Sequence, residues 1–238
     1  MTTQDNTILL ACGRTISLRS PDHGQLTIET LAHSLAQINR FTGHCHRPYS
    51  VAEHSLLVAE IIERAGYGSL AALAGLMHDA HEALSGDVTS PVKREMRRHA
   101  TSMAFEARQL PEARAYSDFD RVEAAAESAV RARFGLIVIS RHFEALVGAA
   151  DMQALATERR DLMPEHPEKW ACLEGVLPIS RLDCDLLDSH RCSQSWASWR
   201  DAFIARYYEL DAQRTEAERA DGMALRFALH PGTKQAAA

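Results

Sequence analysis

Apolar side chains recur at helical spacing through most of residues 27–161. After Thr27 they fall on one face of a helix that is predicted to run to about Asn39, at Ile28, Leu31, Leu35 and Ile38. Similar patterns predict helices at about 51–65, 69–84, 91–109, 119–134 and 140–161. A spacing of three or four residues places side chains on one face of an α-helix, so the pattern favours helices over sheet. The sequence therefore predicts an all-α fold.

The two ends of the chain differ from this helical middle. Residues 7–20 predict a short β-hairpin around Gly13 and Arg14. Residues 164–192 contain several prolines and are expected to be irregular, and residues 193–214 predict a last helix. Its buried stripe is expected to hold Trp196, Trp199, Phe203, Ile204 and Tyr207.

No linker or internal repeat divides the sequence. We therefore expect one domain over residues 1–238, with its core at about 27–163 and a frayed tail after about residue 228. The stretch from Pro111 to Ser117 breaks the helical pattern. It is either a plain connection or a loop that covers a site.

Three metal-binding side chains lie on two neighbouring predicted helices. Ser50 and Glu53 match a capping box, which starts a helix that carries His54 beside its apolar stripe. The dipeptide His78-Asp79 follows the apolar face of the next helical segment. Imidazole and carboxylate together suit divalent cations such as Zn, Mn, Fe or Co. The pattern indicates that these three side chains converge on one metal ion.

Two more carboxylates follow within a few residues. Glu82 lies one helical turn after His78 and Asp79, and Asp87 follows Gly86, which is predicted to end the helix. A metal lowers the pKa of a bound water towards about 7 and polarises a phosphoryl oxygen. Hydrolysis also needs groups that hold the water and protonate the leaving oxygen. The arrangement points to metal-dependent hydrolysis, with Glu82 and Asp87 as the catalytic carboxylates.

With these residues in view, the sequence resembles the HD-domain phosphohydrolase superfamily. Within it, the chain is similar to bacterial HD-domain 5′-deoxynucleotidases and to phage relatives, some of which are dATP triphosphohydrolases. The segments that carry the resemblance lie within about residues 27–163: Arg40-Phe41, Tyr49 to Ser55, Leu76 to Ala83, Gly86 to Lys93, and Ala150-Asp151. The resemblance implies a helical HD bundle.

The resemblance also implies which residues bind the metal. His54, His78 and Asp79 match three ligands, and a fourth is an aspartate on a later helix, for which Asp151 is the best match. Three other aspartates are alternatives in more polar surroundings: Asp118, Asp120 and Asp161. The metal implied is a divalent ion, among Co, Mn, Zn, Mg and Fe.

Substrate contacts are implied at three further positions. Arg40 matches an arginine that contacts the substrate phosphate, although it could also be an ordinary cation at a helix C-terminus. Phe41 stands where the deoxynucleotidases carry Trp, beside the sugar. Lys93 matches a phosphate contact, and the alternative is a solvated lysine. His81 has no matched role and is expected at the surface or just behind the ligands.

Charge and cysteine content limit the class of protein. The net charge of −6 does not favour nonspecific binding to nucleic acid. An anionic substrate must therefore be bound by local positive charge, from the metal and from Arg40 or Lys93. The five cysteines form no CxxC pair, which argues against a disulfide framework and for a reducing cytoplasm. We find neither a signal-peptide pattern nor an apolar run long enough to span a membrane.

The implied substrate is a small deoxynucleotide, and the resemblance also implies a homo-oligomer. Metal-bound water would attack phosphorus and release phosphate from a monophosphate or triphosphate from a dNTP. Two alternatives remain open at this point. One is a dinuclear HD-type oxygenase, to which His81 could contribute a ligand. The other is a catalytically silent module that binds nucleotides.

Overall fold

The structure, a computed structural model, describes residues 6–106 and 117–220. A two-stranded antiparallel hairpin comes first, in which β1 (Thr7–Leu9) and β2 (Thr15–Ser17) pair with Ile8 opposite Ile16. Helices account for most of the remaining described residues. They are α1 (Ile28–Leu35), α2 (Val51–Arg64), α3 (Ser69–Leu76), α4 (Glu82–Ser85), α5 (Ser90–Glu106), α6 (Asp118–Arg133), α7 (Ile137–His142), α8 (Glu144–Asp161), α9 (Ser189–Ser193) and α10 (Trp196–Ala220).

This architecture confirms the predicted fold class, a helical bundle with a short hairpin at its start. Thr27 caps α1 as expected, because its hydroxyl accepts a hydrogen bond from the backbone N–H of Thr30. No helix among the described residues is long and apolar enough to cross a membrane. The assignment of all 238 residues to one domain stays a prediction.

Close packing of α3 against α2 sets the centre of the bundle. Gly75 lies where the two helices approach, so near that a methyl group there would meet Ile62 Cδ1 at 2.5 Å and Val58 Cγ1 at 3.3 Å. The side chains of Val58 and Ile62 are fully buried. Helix α8 packs against the same two helices. These three helices can therefore contribute side chains to one site.

Several helix boundaries differ from the predictions. The helix predicted at 69–84 is interrupted after Leu76, and the one predicted at 140–161 is two helices, α7 and α8. The first helix ends at Leu35 rather than near Asn39. The last helix runs from Trp196 to Ala220. Trp196, predicted to be buried, is 43% exposed and lies against His33 and Arg200 at the surface.

A buried ion network ties α9, and the irregular segment that precedes it, to α2. The Glu53 carboxylate is fully buried and accepts two hydrogen bonds from Arg47, at 2.7 and 2.8 Å, and one from Arg191 at 3.2 Å. Arg47 also donates to the backbone carbonyl of Leu186 at 2.8 Å. The later part of the chain is thus attached one residue away from His54.

Two predicted features fall outside the described residues. One is the break at Pro111–Ser117, of which only Ser117 is described, as the N-cap of α6. The other is the tail after residue 228.

Gly75→Ala is expected to destabilise the protein by roughly 1–3 kcal/mol, because the added methyl group overpacks the α2–α3 contact. The matched control is Gly148→Ala, at an exposed position of α8 where an added Cβ has open space. It should be neutral or stabilise by up to about 1 kcal/mol, because alanine favours the helix. Urea unfolding measures both. A Gly75→Ala variant as stable as the wild type would contradict the close approach.

Candidate metal site

His54 lies in the first turn of α2, where the helix enters the interior. The Ser50 hydroxyl accepts a hydrogen bond from the backbone N–H of Glu53 at 3.2 Å, which fixes the helix start. This is half of the predicted capping box, because the Glu53 carboxylate turns to Arg47 instead. The side chain of His54 is fully buried.

His78 and Asp79 lie in a turn rather than on a helix. Helix α3 ends at Leu76, and the backbone continues through bonds of the tighter i to i+3 type, such as Glu82 N–H to Asp79 O at 2.9 Å. Consecutive residues on a regular α-helix point about 100° apart. The interruption explains how adjacent His78 and Asp79 both face the same point, and why the prediction of a continuous helix was wrong here.

The four predicted ligands converge. His54 Nε2 lies 3.4 Å from His78 Nε2, 3.1 Å from Asp151 Oδ1 and 3.6 Å from Asp79 Oδ2. His78 Nε2 lies 3.1 Å from Asp79 Oδ2 and 3.9 Å from Asp151 Oδ1. The side chain of Asp151, on α8, is 37% exposed, so the cluster opens to solvent on that side.

This donor set fits a divalent metal ion. Ligand atoms at about 2.1 Å from one ion lie about 3–3.5 Å from each other, close to the separations found here. His54, His78 and Asp151 alone can hold an ion, and Asp79 adds a second carboxylate. The alternative aspartates are engaged elsewhere or exposed: Asp120 binds Arg97, Asp161 binds Arg160, and Asp118 lies at the surface.

Hydrogen bonds at the far ring nitrogens prepare both histidines for a metal. His54 Nδ1 lies 2.6 Å from Glu158 Oε1, and His78 Nδ1 lies 2.7 Å from the backbone oxygen of Gly75. Each oxygen accepts a hydrogen bond from Nδ1–H, so each Nε2 is the nitrogen that faces the cluster and would bind a metal ion after losing its proton.

Glu158 is a site residue that the sequence reasoning missed. It lies on α8 seven residues after Asp151, which is two helical turns along the same face, and that spacing was the available signal. Its carboxylate is fully buried. Burial favours the neutral acid, but the charges of Arg40 and His54 outweigh it, and the pKa of Glu158 is lowered.

Arg40 lies beside the cluster and not at a helix C-terminus, so that alternative was wrong. Its Nη2 donates a hydrogen bond to Glu158 Oε2 at 3.2 Å, and its Nη1 lies 3.7 Å from Asp79 Oδ2. Burial would lower the pKa of the guanidinium, but Glu158 and Asp79 raise it, so the group stays charged. Its Nε has no hydrogen-bond partner among the described residues.

The ring of Phe41 lies beside this arginine, and the ring of Trp170 lies beside Phe41. The ring centroid of Phe41 lies 5.4 Å from the Arg40 guanidinium carbon and 6.0 Å from the ring centroid of Trp170. Phe41 and Thr42 both have left-handed backbone, with φ of +56° and +54°. Such backbone is uncommon outside glycine and marks local strain that the surroundings must hold in place. Trp170 was not assigned a role from the sequence.

Glu82 and Asp87 lie on either side of Gly86, which ends the helix as predicted and has φ of +79°. The Glu82 side chain is buried, and its Oε2 has no hydrogen-bond partner among the described residues. Burial, with the charges of Asp79 and Asp87, raises the pKa of Glu82 to about 9. Burial also raises the pKa of Asp87.

The metal-ligand residues, unlike Glu82 and Asp87, favour their charged forms. Burial would raise the pKa of Asp79, but His78 outweighs it and holds the pKa well below its usual range. The pKa of His78 is raised to about 9, because Asp79 overcomes the effect of burial. A metal ion at these atoms competes with the proton and replaces it. The site thus separates charged ligands from a carboxyl group that favours its neutral form.

Lys93 is paired with a residue that the sequence reasoning did not consider. Its Nζ donates a hydrogen bond to Glu123 Oε1 at 2.5 Å and lies over the ring of Phe119. His81 Nε2 lies 3.6 Å from the same oxygen. His81 is 8% exposed, so the expected surface position was wrong. Its contact with Glu123 does not favour the oxygenase, which needs further metal ligands.

Two relatives have sequences similar to this chain. "Uncharacterized protein YfdR" of Escherichia coli strain K12 is 33% identical over 151 residues, which cover 63% of this chain and 69% of the relative. An uncharacterized protein of Rhodobacter capsulatus is 46% identical over 85 residues, 34% of this chain and 43% of that protein.

The family match covers the site itself. Residues 51–174, just over half of the chain, match the HD domain family. This range holds all four predicted metal ligands, together with Glu82, Asp87, Lys93 and Glu158, while Arg40 and Phe41 precede it. The resemblance to the HD superfamily is confirmed. The chain therefore belongs to the HD domain family, a superfamily of metal-dependent phosphohydrolases.

Proposed function

We propose that the protein is a deoxynucleoside 5′-phosphate hydrolase that depends on a divalent metal ion. The observation that carries the proposal is the convergence of four ligand atoms with a buried arginine, whose Nη1 lies 3.7 Å from one ligand carboxylate. His54, His78, Asp79 and Asp151 would hold the ion. When bound, the ion would supply a hydroxide nucleophile near neutral pH and polarise the phosphoryl group.

Arg40 would bind the phosphate. Its guanidinium has five N–H donors, and within the described residues only Nη2 makes a hydrogen bond with a side chain. A guanidinium matches phosphate oxygens in a planar, two-pronged geometry. Arg40 and Lys93, the cations that we place at the site, are each already paired with a carboxylate. That balance favours a monophosphate over the more highly charged triphosphate.

Glu82 would protonate the leaving 5′-oxygen. A carboxyl group whose pKa lies above its usual range holds a proton at neutral pH and can donate it during bond cleavage. A bound cation would oppose the shift and bring this pKa closer to the working pH. Asp87, in the loop after Gly86, would orient the attacking water.

Phe41 and Trp170 would pack against the sugar and base. Phe41 contacts Arg40, Trp170 contacts Phe41, and both rings are partly exposed. Stacking on an aromatic ring tolerates any base.

We also place the protein in the cytoplasm, because all five cysteines are free. The metal identity and the homo-oligomer stay predictions.

The purified protein, incubated with each dNMP and dNTP and with Co, Mn, Mg or Zn, should release free phosphate from monophosphates. Anion-exchange chromatography separates the products. Asp79→Ala should lower the rate by at least about 100-fold, because it removes a metal ligand. Asp118→Ala, at an exposed aspartate, is the control. Release of triphosphate from dNTPs would show that the protein is a triphosphohydrolase and not a monophosphatase. Equal rates of product release by the wild type and Asp79→Ala would reject both activities.

Glu82→Gln should lower kcat by roughly 100- to 10,000-fold, since the amide cannot protonate the leaving oxygen. Cobalt binding should be retained, and a loss of activity with cobalt still bound would distinguish a catalytic residue from part of a silent binding module.

Without metal, the same variant should be more stable than wild type at pH 8 by roughly 1–3 kcal/mol.

The sign of that stability difference follows from the raised pKa. The contribution of Glu82 to stability is fully present below its ordinary pKa of 4.5 and is lost as the pH rises towards about 9. Glutamine does not titrate, so its advantage should shrink at pH 4. Urea unfolding in EDTA at the two pH values measures it, with exposed Glu168→Gln as control. A pH-independent difference would contradict the raised pKa.

Trp170→Ala should raise KM for a deoxynucleoside monophosphate by roughly 5- to 100-fold, because one stacking surface is lost. Hydrolysis of 2-deoxyribose 5-phosphate, which has no base, should keep the wild-type KM. Trp196→Ala removes an exposed tryptophan on α10 and serves as the control. Equal effects on the two substrates would show that Trp170 does not contact the base.

A further inference from the structure

Glu158 uses its two carboxylate oxygens on two different parts of the site. Oε1 lies 2.6 Å from Nδ1 of His54, and Oε2 accepts a hydrogen bond from Nη2 of Arg40 at 3.2 Å. The side chains of Glu158 and His54 have no exposed surface, and that of Arg40 is 11% exposed. The three groups therefore form one interior chain, in which Glu158 on α8 joins Arg40, in the loop between α1 and α2, to His54 on α2.

We propose that Glu158 is a positioning residue that couples the metal ligand His54 to the phosphate-binding Arg40, an inference that rests on the proposed function. Through Oε1 it keeps the proton of the imidazole on Nδ1 and aims Nε2 at the metal. Through Oε2 it holds the guanidinium beside Asp79. One side chain thus sets both the strength of metal binding and the placement of the anion-binding group.

The double role requires both acceptor oxygens of the carboxylate. His54 Nδ1–H and Arg40 are both donors, and a carboxylate offers an acceptor oxygen to each. A glutamine of the same shape offers one acceptor oxygen, and its amide nitrogen would face a second donor. Glu158→Gln can therefore satisfy one partner, while Glu158→Ala satisfies neither.

Two binding measurements test the coupling without relying on turnover. Cobalt affinity of the metal-free protein is followed by visible absorption in competition with a chelator. Affinity of the cobalt-loaded protein for inorganic phosphate is followed by calorimetry. Glu158→Ala should weaken cobalt binding by roughly 10- to 100-fold, the usual effect of losing a partner behind a metal-bound histidine. It should weaken phosphate binding by at least about tenfold as well.

Glu158→Gln should weaken one of the two affinities by about tenfold or more and leave the other within about threefold. Glu144→Gln, at an exposed position of the same helix, should change neither. Circular dichroism checks that each variant is folded, and the isosteric glutamine provides the test if the alanine variant does not fold. Cobalt and phosphate affinities unchanged in Glu158→Gln would overturn the coupling and leave the proposed function standing. Wild-type protein that binds no cobalt would overturn both.

Discussion

The rest of the structure depends on a chain of paired charges, which is buried at Glu158 and His54 and partly exposed at Asp79 and Asp151. Arg40, Glu158, His54, Asp79 and Asp151 lie within hydrogen-bonding or ion-pairing distance along one path. Charges removed from water are costly unless each is paired and hydrogen-bonded. The apolar contacts of α2, α3 and α8 have to offset that cost, which is why the site lies where these three helices pack. Stability and chemistry here draw on the same few residues.

The backbone contributes as much to the site as the side chains do. Gly75 lets α3 approach α2 and also supplies the carbonyl oxygen that accepts the His78 ring proton. Three residues later the helix has ended, and the tighter turn presents His78 and Asp79 together. Left-handed backbone at Phe41 and Thr42 lets the chain reverse directly after Arg40. Local departures from helix therefore place the reactive groups, and regular helix supports them.

Much of the fold was predictable because its signals are local. Apolar periodicity identified the helices, Thr27 and Ser50 identified two of their starts, and Gly86 identified an end. The positions of His54, His78, Asp79 and Asp151 follow from the same pattern once a family is recognised. The breaks after Leu76 and before Glu144 were not predictable from periodicity, because the flanking residues keep a helical pattern. Glu123 and Trp170 act through contacts distant in sequence, which composition and spacing do not reveal. The spacing of Glu158 from Asp151 places both on one face of α8, but it does not show the contacts of Glu158 with His54 and Arg40.

The ion network around Glu53 has a consequence for the boundaries of the functional unit. The family match ends at residue 174, yet Arg191 and the carbonyl of Leu186 complete the surroundings of the Glu53–Arg47 pair, one residue before His54. A chain cut at the end of the matched region would leave a buried carboxylate with one cation instead of two. The segment beyond the family match thus stabilises the start of the helix that carries the first metal ligand.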